Sequence, residues 1–172
     1  MTQPSAVLDS PVGWDLTVAN ARGFIDFAIE NRVPREELLE HPFMQAILKK
    51  ALASTRFFGQ VFIDSYYRPM THQHEQYWDV IEDISIPYAA MICWRGFGKS
   101  TGGNTLAIQS ICFQLDRFIL VVSKTHDEAS RITENIKLDL LTNRRLRAVF
   151  GSFKKSIRKA KDVEAMEDAD FD

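Results

Sequence analysis

Apolar residues fall at helical spacing from about position 17 to position 81, and after that short unbroken runs alternate with further helical stretches. Phe24, Ile25, Ala28 and Ile29 recur at i, i+1, i+4 and i+5, which predicts an amphipathic helix from Thr17 to Asn31. Pro34 and Pro42 each suit a first helical position, where the missing N–H is no loss. The first opens a short turn through Glu36, Glu37 and Leu38, and the second a longer helix with Phe43, Ala46, Ile47 and Ala51 along one face. Phe57, Phe58, Val61 and Phe62 form the stripe of a helix from Ser54 to Tyr67, which Arg68-Pro69 ends. So many aromatics at this spacing read as core. Thr71 caps the next helix, which turns His74, Tyr77, Trp78 and Ile81 inward.

The pattern then changes. Tyr88 to Trp94 is apolar without a helical period, and Phe118-Ile119-Leu120-Val121-Val122 is apolar at every position, as a strand buried on both faces would be. Between them Ala107, Ile108, Ile111, Cys112 and Leu115 mark the face of a helix. Thr125-His126-Asp127-Glu128 is a capping box that opens another, continued by Ala129, Ile132, Ile136 and Leu140. Strands this far apart cannot form a hairpin. The order strand, loop, helix, strand, helix therefore predicts an α/β fold with a parallel sheet and a right-handed crossover.

The first predicted strand runs into Ile92-Cys93-Trp94-Arg95-Gly96-Phe97-Gly98-Lys99-Ser100-Thr101. Gly-x-Gly-Lys-Ser between a strand and a helix is suited to gripping nucleotide phosphates. Loop N–H groups and the helix N-terminus face the oxygens, Lys99 reaches the outer phosphates and the Ser100 hydroxyl takes a magnesium ion. The usual pattern has glycine five positions before Gly98, where this chain has Cys93, and Gly96 supplies the flexibility instead. The candidate nucleotide-contacting residues are Arg95, Gly96, Phe97, Gly98, Lys99, Ser100 and Thr101. Gln73 and Gln76, some twenty residues upstream, are either amides that read an adenine edge or solvated helix positions. His72 and His74 stand two apart, on opposite sides of a helix, and do not make a metal pair.

Gly102 and Gly103 near the start of the following helix each cost up to about 1 kcal/mol against alanine, which points to a close backbone approach by strand or nucleotide. Composition alters this picture little. A chain of 172 residues with 45% apolar content is of single-domain size, and its net charge of -2 creates no global field to recruit nucleic acid. Cys93 and Cys112 lie in apolar segments and read as buried thiols in a reducing compartment. Neither a signal peptide nor a run of the ~20 apolar residues that a membrane helix needs is present, which predicts a cytoplasmic protein with no membrane partner. Residues 1–16, with Pro4, Pro11 and Gly13, read as a flexible arm whose end Trp14 pins. Residues 17–70 read as a helical lead-in, 71–151 as a partial P-loop core and 152–172 as a charged tail. From Arg144 to Lys161 every charge is basic and from Asp162 onward every charge is acidic, a pattern open to DNA contact, to back-folding of the tail, or to a frayed solvated end. The last is the reading preferred from sequence.

The series Phe57-Phe58-Gly59-Gln60-Val61-Phe62, a His/Gln-bearing helix, Trp94 to Thr101, Ile119-Leu120-Val121-Val122-Ser123-Lys124-Thr125 with Ala129, and Leu146-x-x-Val149-Phe150-Gly151 resembles the N-terminal ATPase region of tailed-phage terminase large subunits. The resemblance covers roughly residues 55 to 151. It implies an incomplete P-loop NTPase sheet of the RecA/ASCE type, with ATP and Mg2+ as cofactors. The implied activity is hydrolysis coupled to pumping double-stranded DNA into a procapsid, in the host cell cytoplasm. Arg95 and Lys99 would be the catalytic residues, with Arg95 acting on the γ-phosphate in cis. The implied partners are double-stranded DNA, a small terminase subunit and the portal or procapsid, with a homo-oligomer in the motor. The family's second apolar strand ending in paired acids, and its nuclease domain, have no counterpart here, so the chain reads as the front portion of such an enzyme. The alternatives are a nucleotide-binding assembly protein without turnover, or another P-loop enzyme such as a helicase-like ATPase or a small-molecule kinase.

Overall fold

The computed structural model describes residues 15–64, 70–83, 85–86 and 92–154, which form eight helices. They are α1 (Val18–Glu30), α2 (Arg35–Glu40), α3 (Pro42–Ala53), α4 (Thr55–Phe62), α5 (His72–Glu82), α6 (Lys99–Phe113), α7 (His126–Thr142) and α8 (Arg144–Phe150). Half of these helices start where a short polar side chain can accept an orphan backbone N–H: Thr17 for α1, Ser54 for α4, Thr125 for α7 and Asn143 for α8. The box at Thr125 is half made. Its hydroxyl accepts from Glu128 N at 3.3 Å, but the Glu128 carboxylate turns to Ser123 Oγ, 2.9 Å away. Pro42 occupies the first turn of α3 behind His41, whereas Pro34 caps α2 one position before its first residue.

The predicted aromatic stripe is the centre of the core. Phe57, Phe58, Val61 and Phe62 of α4 are all buried, and the Phe58 ring lies 5.1 Å from Phe62, 6.0 Å from Phe113 of α6 and 6.3 Å from Phe150 of α8. Polar side chains then close the helix ends that this packing buries. Gln109 of α6 is 3% exposed; its amide donates to Ala51 O at 2.7 Å and accepts from the Thr55 hydroxyl at 2.5 Å, which joins the end of α3 and the start of α4 to α6. Glu82 of α5 accepts from Arg56 N at 2.6 Å and Ser54 Oγ at 3.0 Å. At the other end of α4, Arg22 donates to Gln60 O at 2.8 Å and the Asn143 amide donates to Phe62 O at 2.8 Å. Arg145 forks onto both oxygens of Asp26 at 2.7 Å and also donates to Asp64.

Three expectations are corrected by this structure. The α/β fold is the first, because the described residues are helical and contain no strand or sheet. Of the first predicted strand, residues 88–91 lie outside the described residues, and Ile92 to Trp94 form no ladder. Phe118 to Val122 pairs with no described backbone group, and its side chains at 118, 120 and 122 stand in solvent. An apolar β-branched run becomes a strand only when neighbours take up its N–H and C=O groups, and the described helices offer none. The second correction concerns the basic block. Arg144 to Phe150 is not a frayed end but a helix whose Leu146 and Val149 are buried, with Arg145 committed to Asp26 and Asp64. Third, the helix predicted to reach Tyr67 stops at Phe62, with residues 65–67 outside the described residues. The flexible arm to position 14, the Arg68-Pro69 stop, the rest of the basic block at 155–161 and the acidic tail also lie outside them.

The carboxylates around α8 make a testable balance. Burial works to raise the Asp64 pKa, but the hydrogen bonds and charges of Arg145 and Arg22 outweigh it and hold the group below the ordinary carboxylate range. Asp139, half-buried near the C-terminal end of α7, is pushed above 3.8, first by burial and then by the Asp64 charge. A carboxyl raised in the folded state favours folding when protonated. That contribution is present below the unfolded pKa and is lost as pH rises through the folded value. Asp139→Asn should therefore stabilise the fold at pH 7, where the carboxylate also opposes the helix dipole, by a few tenths of a kcal/mol after allowance for solvent screening. Melts from pH 3 to 8 check this: the gain should vanish at the acid end, and a pH-independent difference would contradict it.

Candidate functional site

Residues 92–101 enter α6 through two left-handed glycines, Gly96 at φ 86° and Gly98 at φ 96°. Gly98 is the N-cap of α6, no side chain caps this end, and no acid stands in its first turn. This start therefore differs from those of α1, α4, α7 and α8, where a side chain accepts an orphan N–H. It carries the partial positive charge of the helix, with Lys99 and Ser100 exposed beside it. The Lys99 ammonium folds back over the loop and donates to Cys93 O at 2.9 Å and Trp94 O at 3.1 Å. Arg95 is exposed at the tip of the turn, and Thr101 is half-buried, its carbonyl accepting from the Thr105 hydroxyl at 2.8 Å.

The loop is held from one side by α5. Phe97 is buried and stacks on the His74 ring at 4.5 Å with an interplanar angle of 11°, and it meets Tyr77 and Trp94 edge-on at 5.5 and 4.8 Å. His74 bridges two chain segments: Thr71 N donates to its Nδ1 at 3.2 Å, and its Nε2 lies 3.1 Å from Phe97 O. Nδ1 thus accepts and Nε2 is placed to donate, an orientation assigned from the partners. The Tyr77 hydroxyl donates to Lys99 O at 3.3 Å, and burial raises its pKa.

Gly102 explains itself here. A Cβ at that position would lie 2.6 Å from the Tyr77 hydroxyl, so the close approach expected from sequence is made by α5. At Gly103 nothing lies within 4 Å of such an atom. Gly102→Ala should displace Tyr77 from the Lys99 carbonyl while gaining up to about 1 kcal/mol of helix propensity. The expected outcome is an altered near-ultraviolet circular dichroism spectrum with a melting temperature near that of the native chain. An unchanged spectrum would show that the ring is not held there.

Of the residues singled out from sequence, Arg95 to Thr101 stay together because they are contiguous, and the fold adds Gln73 and Gln76. Both glutamines are exposed on α5 and, with Tyr77, Trp94 and Phe97, line a surface cavity of about 280 Å3. Sequence reasoning placed His74 and Tyr77 on the inward face of α5 but gave them no part in the loop. For Tyr77 the signal was present in the spacing, since positions 73, 76, 77 and 80 all line this cavity. Cys93, at its edge, and Cys112 are free thiols, and burial pushes Cys112 up to about 12, which keeps it protonated and inert. Among the described residues no cluster of His, Cys, Asp and Glu could hold a metal ion, and no helix is long and apolar enough to cross a membrane. The chain matches no protein-family model, no curated protein and no solved structure.

Proposed function

We propose that residues Arg95 to Thr101 and the first turn of α6 bind the phosphates of ATP with magnesium, and that the chain acts as the ATP-binding portion of a terminase-type motor that packages double-stranded DNA. The observation that carries the binding reading is the start of α6. It has no side-chain cap, is entered through two left-handed glycines and is flanked by an exposed lysine and serine. A phosphate oxygen supplies what that end lacks, an acceptor for its first N–H groups. Lys99 can exchange its two carbonyl partners for phosphate oxygens without crossing the loop. Ser100 offers a hydroxyl to magnesium, Arg95 offers a guanidinium to the outer phosphate, and Gln73 and Gln76 lie where the base would enter the cavity. Magnesium bound there would neutralise charge on the phosphates.

The motor reading draws on the sequence resemblance and on Arg95 at the loop tip, and the phosphate grip itself uses a loop and a helix end, not a sheet. Calorimetric titration with ATP and magnesium tests the binding, and a phosphate-release assay with and without double-stranded DNA tests turnover. Saturable binding with DNA-stimulated release supports the motor ATPase. Binding without release supports an assembly protein, and absence of binding overturns the whole reading. If Arg95 acts on the transferring phosphate, Arg95→Ala should lose turnover while keeping ATP affinity within about tenfold, because a contact made in the transition state is felt in kcat more than in ground-state binding.

A further inference from the structure

The exposed row at Phe118, Leu120 and Val122 has a geometry of its own. These side chains are 78%, 71% and 79% exposed, while Ile119 is 37% exposed and Val121 half-buried, so the segment alternates with the period of a strand. Among the described residues its backbone pairs with no other backbone. We propose that Phe118–Val122 is a self-association edge, and that two copies of the chain pair these segments antiparallel about a two-fold axis at Leu120.

The register follows from the sequence around the segment. Centred on Leu120, antiparallel pairing sets Phe118 against the partner's Val122, Ile119 against the partner's Val121 and Leu120 against its own copy, so every apolar residue meets an apolar residue. Beyond Arg117 against the partner's Ser123, the next position on the face of Phe118 sets Asp116 against the partner's Lys124, twice by symmetry, and both residues are exposed. Moving the centre to Ile119 would put Asp116 on Val122, and moving it to Val121 would put Phe118 on Lys124. Parallel in-register pairing would put Asp116 on Asp116 and Lys124 on Lys124, like charges directly opposed. No charged residue lies between 118 and 122, so nothing within the run protects it from pairing. Asp116 also accepts from the Ser110 hydroxyl at 2.6 Å, which fixes the edge to the end of α6.

A pair of such short strands is smaller than a standard interface of ~1,600 Å2, so the association is weak and concentration-dependent. Sedimentation velocity of the 172-residue chain should show a growing dimer fraction from about 5 to about 500 µM, the range suited to an interface of that size. Leu120→Lys, which opposes two ammonium groups on the axis, should be monomeric throughout. Lys124→Asp should weaken the dimer, most at low salt, and Asp116→Lys combined with Lys124→Asp should restore it at least tenfold over either single change. Circular dichroism melts confirm that each variant is folded. A native chain that stays monomeric overturns the proposal. Dimers that survive Leu120→Lys, or a charge exchange that restores nothing, overturn it as well.

Discussion

Lys99→Ala is expected to weaken ATP binding by about a hundredfold while leaving the melting temperature of the free chain unchanged. Charge-assisted hydrogen bonds to phosphate contribute about 1.5–3 kcal/mol each, and the alanine variant loses them together with the nearest positive charge. In the free chain the same ammonium holds only Cys93 O and Trp94 O, in a loop exposed enough for water to replace it. Alanine at the first position of α6 also carries the best helix propensity. The two measurements therefore separate a binding role from a structural one. Lys99→Arg should fall between the two, because a guanidinium keeps the charge but cannot reproduce the compact ammonium geometry. Equal affinity in native and alanine chains by calorimetry would remove Lys99 from the site.

What the sequence revealed divides at the loop. Up to Trp78 the residues that set the fold are apolar side chains at helical spacing, which depend on neighbours a few positions away. Accordingly Phe24, Ile25, Ile47, Phe57, Phe58, Val61 and Phe62 lie where their periodicity puts them. After Trp78 the helices are again legible, with Ile108, Ile136 and Leu140 buried where their spacing puts them, but the predicted sheet depends on strands, whose backbone groups need partners from distant parts of the chain. The composition of Phe118 to Val122 states a preference for a sheet without supplying the second strand. The polar network was not legible at all. That Gln109 would serve Thr55 and Ala51, or that Arg145 would take Asp26 and Asp64, depends on which helices meet, and no local spacing encodes it. The phosphate loop was legible as a string of residue types. Its support by His74 and Tyr77 required the packing of α5, and with it the account of Gly102 moved from nucleotide or strand to a tyrosine.

Because α6 packs against α4 as well as α7, and the α4 contact is centred on one ring, the largest loss of stability should come from Phe58→Ala. Its ring is fully buried among Phe62, Phe113 and Phe150, and so joins α4, α6 and α8 at one point. Truncating a buried phenylalanine removes its burial energy and leaves a cavity, for a cost of about 3–5 kcal/mol. A chain of this size should then melt roughly 10 °C lower, at about 2–4 °C per kcal/mol. Phe58→Leu fills most of the space and should lose less than half as much. The same variant tests whether core and loop are separable. The loop is held directly by α5 through Phe97, and the Gln109 bonds to Ala51 and Thr55 fix the middle of α6 independently of the ring cluster. ATP binding only to the folded state adds RT ln(1 + [L]/Kd) to stability, a quantity that depends on the site and not on the core. At matched ATP and magnesium concentrations, the ligand-induced stabilisation of Phe58→Ala should therefore equal that of the native chain, although both curves lie lower. A variant that melts low and also fails to respond to ATP would show that the aromatic cluster positions the start of α6, and that the loop is not held by α5 alone.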